Sequence, residues 1–341
     1  KLSYADLKNM GFSDPSKVSV HGYGGWPLDE DFSKEYIDDV PSTPVWRGSD
    51  YLLFYGKGPV KWEYDSSSQT FVHTNNPYSL YGYYFVTDAT PTNDMTSVAQ
   101  ASGATNRITT YDDYLVHEQE LVSLAKSGRE LYGEDFSGAT PRTLSTFSSI
   151  PGITNEDAKV TMSFVSKVTS GTGVASLSIN QSNVLDVSIR SNREEYVKAL
   201  EGVSTAVWKG EKSEKNSVVV SYNSASHNNV RLNYVRLHFK RTLQPYGAYT
   251  FFRSIASIGN VSRFVVQGAN ANTLVFDVTD AQRVRLMETE LNGSELTFSI
   301  PAGTLREFVL VRTDQSFISP EVVGEVENQN LHALEQKDMI I

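Results

Sequence analysis

The stretch closest to a catalytic motif is His117-Glu118-Gln119-Glu120-Leu121. A helical zinc site needs a second histidine four residues after the first, so that both imidazoles face one metal. Leucine stands at that position here, and the stretch reads as a solvated helix face. Acidic clusters occur at Asp29-Glu30-Asp31, Asp38-Asp39 and Asp112-Asp113. Calcium takes about six to eight oxygen ligands, often from such clusters. None has EF-hand spacing, and solvated turns or helix caps account for them more simply. No cofactor is expected beyond a structural calcium ion that such a cluster could hold. Glycoside hydrolysis needs two carboxylates at a set separation, but with 40 Asp and Glu residues chance pairs are guaranteed. The glycine-rich Gly22-Tyr23-Gly24-Gly25 and Gly56-Lys57-Gly58-Pro59 lack the spacing and following helix of a phosphate loop and read as turns. There is no Gly-x-Ser-x-Gly elbow. The chain contains no cysteine, which removes disulfides, thiolate metal sites and a cysteine nucleophile from these residues.

Two further groups could make contacts. Trp26, Trp46 and Trp62 fall in the first 90 residues with Tyr51, Tyr55, Tyr64, Tyr78, Tyr81, Tyr83 and Tyr84. Exposed aromatics form sugar-stacking platforms or protein hot spots; a large aromatic core is the plainer reading. Arg236, His238 and Lys240 alternate with Val235, Leu237 and Phe239, making a basic stripe on one strand face. That stripe reads either as solvent-facing or as an interdomain or partner contact.

The elements that would position these residues are mostly strands. Tyr and Phe number 18 and 16, and with many Val and Thr they favour sheet. Ser3, with Asp6 behind it and Gly11 as a stop, predicts a short helix over 2–10. Strands are predicted at 17–22, 51–55, 60–64, 71–74 and 81–87, with Asp65-Ser66-Ser67-Ser68 closing a hairpin. Residues 27–50 and 88–105 read as loops. An approximate apolar stripe through Leu115, Leu121, Val122, Leu124 and Ala125 predicts a helix over about 113–130, capped by Asp112 or Asp113. Beyond Gly138, alternation recurs through eight or more strands. The phase slip at Tyr234-Val235 predicts a β-bulge or a strand that changes sheets. The expected fold class is mostly β. An aromatic-rich β (α+β) domain over 1–110 is followed by a bridging helix and linker over 111–137, then a jelly-roll-like β-sandwich over 138–326.

Net charge is −10, against the basic footprint that nucleic acid requires. No apolar run reaches the roughly 18 residues of a membrane span. The chain begins at Lys1, not Met, and ends in Asp338-Met339-Ile340-Ile341, which reads as the opening of a buried strand. A linker and the start of a further domain are therefore expected over 327–341.

Several segments together resemble the gingipain-type surface peptidases of Bacteroidetes. They are Asp50-Tyr51-Leu52-Leu53-Phe54-Tyr55-Gly56-Lys57-Gly58-Pro59; Trp62, Tyr64-Asp65, Phe71, His73, Asn75 and Tyr78; and Tyr83-Tyr84-Phe85. Tyr114, His117-Glu118, Ser127-Gly128-Arg129-Glu130, Tyr132-Gly133-Glu134 and Phe136 form a second match. Leu274-Val275-Phe276-Asp277-Val278-Thr279-Asp280 is a third, and Glu327 to Leu334 with Asp338 to Ile341 a fourth. By pattern the chain is most similar to the type IX secretion system sortases. The resemblance implies an exported protein at the outer-membrane surface of a Gram-negative bacterium. It implies cleavage of C-terminal sorting domains from secreted cargo by a Cys–His dyad in a caspase-like domain. No catalytic residue carries over, because no cysteine is present. The implied role is a non-catalytic scaffold or docking region. The implied partners are the protein's own downstream catalytic domain, an outer-membrane secretion protein and cargo. A glycan-binding or adhesin module of the bacterial surface is the alternative, with Trp26, Trp46, Trp62 and the Arg236–Lys240 stripe as contact candidates.

Overall fold

The computed structural model describes residues 1–327 apart from 28, 32, 34–38, 125–128, 193–198, 225, 226 and 228, together with 333 and 335. The linker and domain entry expected over 327–341 lie almost wholly outside the described residues, as does Asp38.

The N-terminal part is built from α1 (Tyr4–Asn9) and strands β1 (Ser19–Gly24), β2 (Tyr51–Phe54), β3 (Val60–Asp65), β4 (Thr70–Asn75) and β5 (Tyr83–Thr87). Helix α1 forms as its cap signals dictate: Ser3 Oγ accepts from Asp6 N, and Gly11 takes φ +103° just past the end. β1 pairs with β5. β3 and β4 make the expected hairpin, whose turn is held by Asp65 Oδ1 accepting from Ser67 N at 2.9 Å and by the hydroxyls of Ser67 and Ser68. Leu2, Leu7, Val18, Val20, Val45 and Leu52 form a small core beneath these elements.

The remaining main strands are β6 (Thr110–Glu118), β7 (Ala158–Ser166), β8 (Thr172–Ile179), β9 (Ser182–Arg190), β10 (Leu200–Trp208), β11 (Val218–Tyr222), β12 (Val230–Thr242), β13 (Tyr249–Arg253), β14 (Asn260–Val266), β15 (Thr273–Asp277), β16 (Glu295–Ala302) and β17 (Glu307–Arg312). One nine-stranded sheet runs in the order β10-β7-β12-β6-β13-β17-β15, then Arg285–Met287 and Ser97–Val98. Two four-stranded sheets complete the fold. One joins β8, β9 and β11 with Arg142–Thr143, and the other joins β14 and β16 with Asn106–Ile108 and Glu290–Asn292.

The inward residues divide into two cores. Val160, Met162, Phe164, Leu177, Val187, Val235 and Leu237 belong to the first. Phe252, Phe264, Phe298 and Phe308 dominate the second, with Phe264 and Phe298 stacked at 4.9 Å. The region expected to be a single sandwich over 138–326 therefore holds two, sharing one continuous sheet. The phase slip in β12 is a bulge: Ser163 faces Tyr234 and Phe164 faces Leu232, leaving Asn233 as the extra residue.

The bridging helix over 113–130 is overturned. Thr110–Glu118 is the strand β6, near the middle of the large sheet, paired with β12 through nine consecutive positions. Thr110, Tyr111, Tyr114 and Val116 suit a pleated surface, whereas the helical stripe rested mostly on residues beyond 120. Among the described residues from 119 to 137, none is helical. The N-terminal unit also ends earlier than residue 110, since 97–98 and 106–108 already pair with strands of the sandwiches.

Candidate functional site

Pairing of β6 with β12 places Asp112 opposite Lys240, Tyr114 opposite His238 and Val116 opposite Arg236. Alternate residues of a strand share a face, so the basic stripe and these three residues look the same way. That face is covered by the β3–β4 hairpin. Trp62 stacks on Tyr114 at 4.0 Å, and Phe71 meets His238 edge-on at 5.0 Å. His73 Nε2 lies 2.7 Å from Glu118 Oε2, and Lys159 Nζ donates to the Ser68 and Gln69 carbonyls of the turn. The solvent-facing reading of Arg236, His238 and Lys240 is thus overturned, because the stripe is the floor of an interdomain seam.

The seam is neutralised internally. Asp112 is 1% exposed and accepts from His238 Nε2 at 3.0 Å, Lys240 Nζ at 2.8 Å and Ile255 N at 2.7 Å. Burial alone would raise its pKa; these donors outweigh that and hold it below the ordinary aspartate value. Arg236 lies over the Tyr234 ring at 4.7 Å. Arg253, 2% exposed, donates to Glu307 Oε2 at 2.7 Å and to the Asp112 carbonyl, and lies 4.4 Å from the centre of the Tyr114 ring. Desolvation opposes its charge, but the pull of Glu307, Tyr114 and Asp113 wins and raises its pKa. The Asp112 carboxylate and the Arg253 guanidinium are thus each paired, and the arrangement joins the hairpin to the large sheet.

The motif candidates resolve in the same way. His117 and Glu118 point to opposite faces of β6, His117 toward Glu134 at 2.7 Å and Glu118 toward His73. Asp113 pairs with Arg241 at 2.8 Å. Glu30 pairs with Arg129, and Asp29 Oδ1 accepts from Asp31 N. Among the described residues, no group of three or more His, Cys, Asp or Glu could hold a metal ion.

Trp208 is buried, and Trp26, Trp46 and Trp62 are half-buried. Trp46 packs against Tyr51 and Phe276. Trp26 lies under Lys57 Nζ at 4.7 Å. The exposed aromatics among the described residues are Tyr78, Tyr81, Tyr83 and Phe85, in and just before β5, and Tyr249 and Phe251 of β13.

One concave feature is a groove of about 440 Å³ between the N-terminal unit and the outer face of the large sheet. Its walls bring together the segments that carry the family resemblance: Leu53 to Gly58 from one, Tyr84 from another, and Phe276 and Val278 from a third. Tyr249 and Phe251 of β13, Val309 and Val311 of β17, and Phe317, Ile318 and Pro320 beyond the sheet also line it. Tyr55 joins groove to seam: its ring lies 5.9 Å from Phe251. Burial, reinforced by Glu307, pushes its hydroxyl up to about 12. Among the described residues, no carboxylate lines the groove. Sequence reasoning missed the groove because its walls come from segments more than 200 residues apart.

These features define a mostly-β, multi-sheet chain with a polar seam and an apolar groove. The chain matches the crystal structure of dimeric latent PorU from Porphyromonas gingivalis with a TM-score of 0.89 and 30% identity, over 98% of its own length. The chain thus fits a PorU-like region. It spans 32% of that PorU chain. A Paenibacillus cycloisomaltooligosaccharide glucanotransferase aligns with 62% of this chain and 45% of that one, at 8% identity and a TM-score of 0.22, too low to carry weight. No protein-family model and no curated protein matches.

Proposed function

We propose that this chain is the non-catalytic scaffold and docking region of a cell-surface, gingipain-like cysteine peptidase, a type IX secretion sortase that removes C-terminal sorting domains from cargo. The single observation that carries the reading is the PorU match, end to end on this chain and confined to a third of the other. The absence of cysteine from the sequence agrees with it, because the nucleophile of such a peptidase must then come from outside these residues. The ion-paired seam supports a scaffold role, since it ties the aromatic-rich unit to the sandwiches through charges that are costly to separate. The partners in this reading are the catalytic domain of the same protein, an outer-membrane secretion component and the cargo. The location is the outer surface of a Gram-negative cell.

The test is association of this chain with a separately expressed catalytic domain of the parent, followed by calorimetry and size-exclusion chromatography. A stoichiometric complex is expected. No association at high micromolar concentration of both would refute the scaffold role. The adhesin reading would instead require glycan binding that depends on the exposed Tyr81 and Tyr83, and a glycan array checks it directly.

A further inference from the structure

The groove has a chemical signature that the scaffold role does not require. Its lining is apolar and rich in aromatic rings, and its volume falls in the range of small-molecule sites. Among the described residues, its only charged lining residues are Lys1 and Lys57, in a chain whose net charge is −10. Lys57 is the better placed of the two, because its backbone is fixed. Its N–H donates to the Tyr84 hydroxyl at 2.9 Å, and its carbonyl accepts from Gly25 N at 2.9 Å. Its ammonium group lies over the Trp26 ring, and among the described residues no carboxylate lies within ion-pairing distance of it. Neighbouring Lys61 has Glu63 at 2.8 Å. Desolvation lowers the Lys57 pKa and neighbouring Lys61 adds to this, against the longer-range pull of Asp280. Tyr249 and Phe251 remain 41% and 38% exposed on the groove side of β13, an unusual amount of open aromatic surface beside such a cation.

We propose that this groove binds an anionic amphiphile, with an apolar chain lying on Phe251, Phe276 and Val309 and a carboxylate-type head paired with Lys57. The pairing of head and cation would be a charge-assisted hydrogen bond in a partly dry site. The apolar body would cover the ring faces of Tyr249 and Phe251. This assignment stands independently of the sortase reading.

The experiment titrates this chain with dodecanoate and with dodecanol, following Trp26 emission and heat. Lys57→Gln and the double variant Tyr249→Ala/Phe251→Ala are measured beside it, after thermal melts confirm that both fold. Dodecanoate should saturate a single site, with dodecanol roughly tenfold or more weaker. Lys57→Gln should erase that preference, and the double variant should weaken both ligands. Equal affinity for acid and alcohol, an unchanged preference in Lys57→Gln, or no saturable binding of dodecanoate would each overturn the assignment. A synthetic Ser-Phe-Ile-Ser-Pro-Glu peptide is the third arm. If it binds where dodecanoate does not, the groove is a polypeptide-docking surface and the amphiphile is wrong.

Discussion

Replacing Arg253 with methionine tests whether the seam is a structural joint. The guanidinium is buried to 2% exposure and bonds Glu307 at 2.7 Å and the Asp112 carbonyl at 3.2 Å, with Asp113 at 3.6 Å. Methionine keeps much of the volume but strands these acceptors. Breaking a buried pair by removing one partner costs about 3–5 kcal/mol. The Glu307 side chain retains 31% exposure, so water recovers part of the loss and the lower end, about 3 kcal/mol, is expected. Urea unfolding monitored by Trp fluorescence measures it, with Trp62 reporting the seam through its stack on Tyr114. The double variant Arg253→Met/Glu307→Gln removes the stranded charge and should recover about half of the loss, a coupling that a double-mutant cycle isolates. A single-variant cost below about 1 kcal/mol would refute the reasoning, because it would mean that the buried charges are not mutually dependent.

Three further outcomes follow from the same coordinates. Asp112 has a depressed pKa in the folded chain, so its ionisation stabilises the fold above the unfolded aspartate value, and that contribution is lost as pH falls through the lower folded value. Acid unfolding followed by circular dichroism should therefore shift to higher pH in Lys240→Gln, and an unshifted midpoint would contradict the pairing. The Asp65 carboxyl should titrate at about 2 by NMR, because the Ser68 and Ser67 hydroxyls and the Ser67 N–H bond its ionised form. The double change Ser67→Ala/Ser68→Ala should return it toward an ordinary aspartate. Gly24 sits at φ +77°, and a Cβ there would meet the Tyr84 hydroxyl at 2.6 Å and the Lys57 carbonyl at 2.9 Å. Gly24→Ala should cost about 1–3 kcal/mol in thermal stability and loosen Lys57; a neutral melt would show that the β1 end relaxes freely.

The corrected elements show how far local patterns reach. Helix α1 and the β3–β4 hairpin were legible because their signals lie within a few residues: a serine cap and glycine stop for one, an Asp-Ser-Ser-Ser turn for the other. The β12 bulge was legible because alternation breaks visibly at Tyr234-Val235. β6 was misread because Asp112 and Asp113 resemble helix caps until their partners are known. Those partners, His238, Lys240, Arg241 and Arg253, lie more than 120 residues away.

By itself, then, the sequence determined that the chain is mostly β and has no cysteine chemistry of its own. Its ordered motifs pointed to gingipain-type proteins. Those properties follow from composition, period-two alternation and turn residues, all of which act locally. Only the tertiary structure decided that the basic stripe is covered by the β3–β4 hairpin, that two sandwiches share one sheet, and that the family-like segments converge on a groove. Each of these depends on which faces meet, and that is set by long-range strand pairing and by the cost of leaving a charge or a ring without a partner.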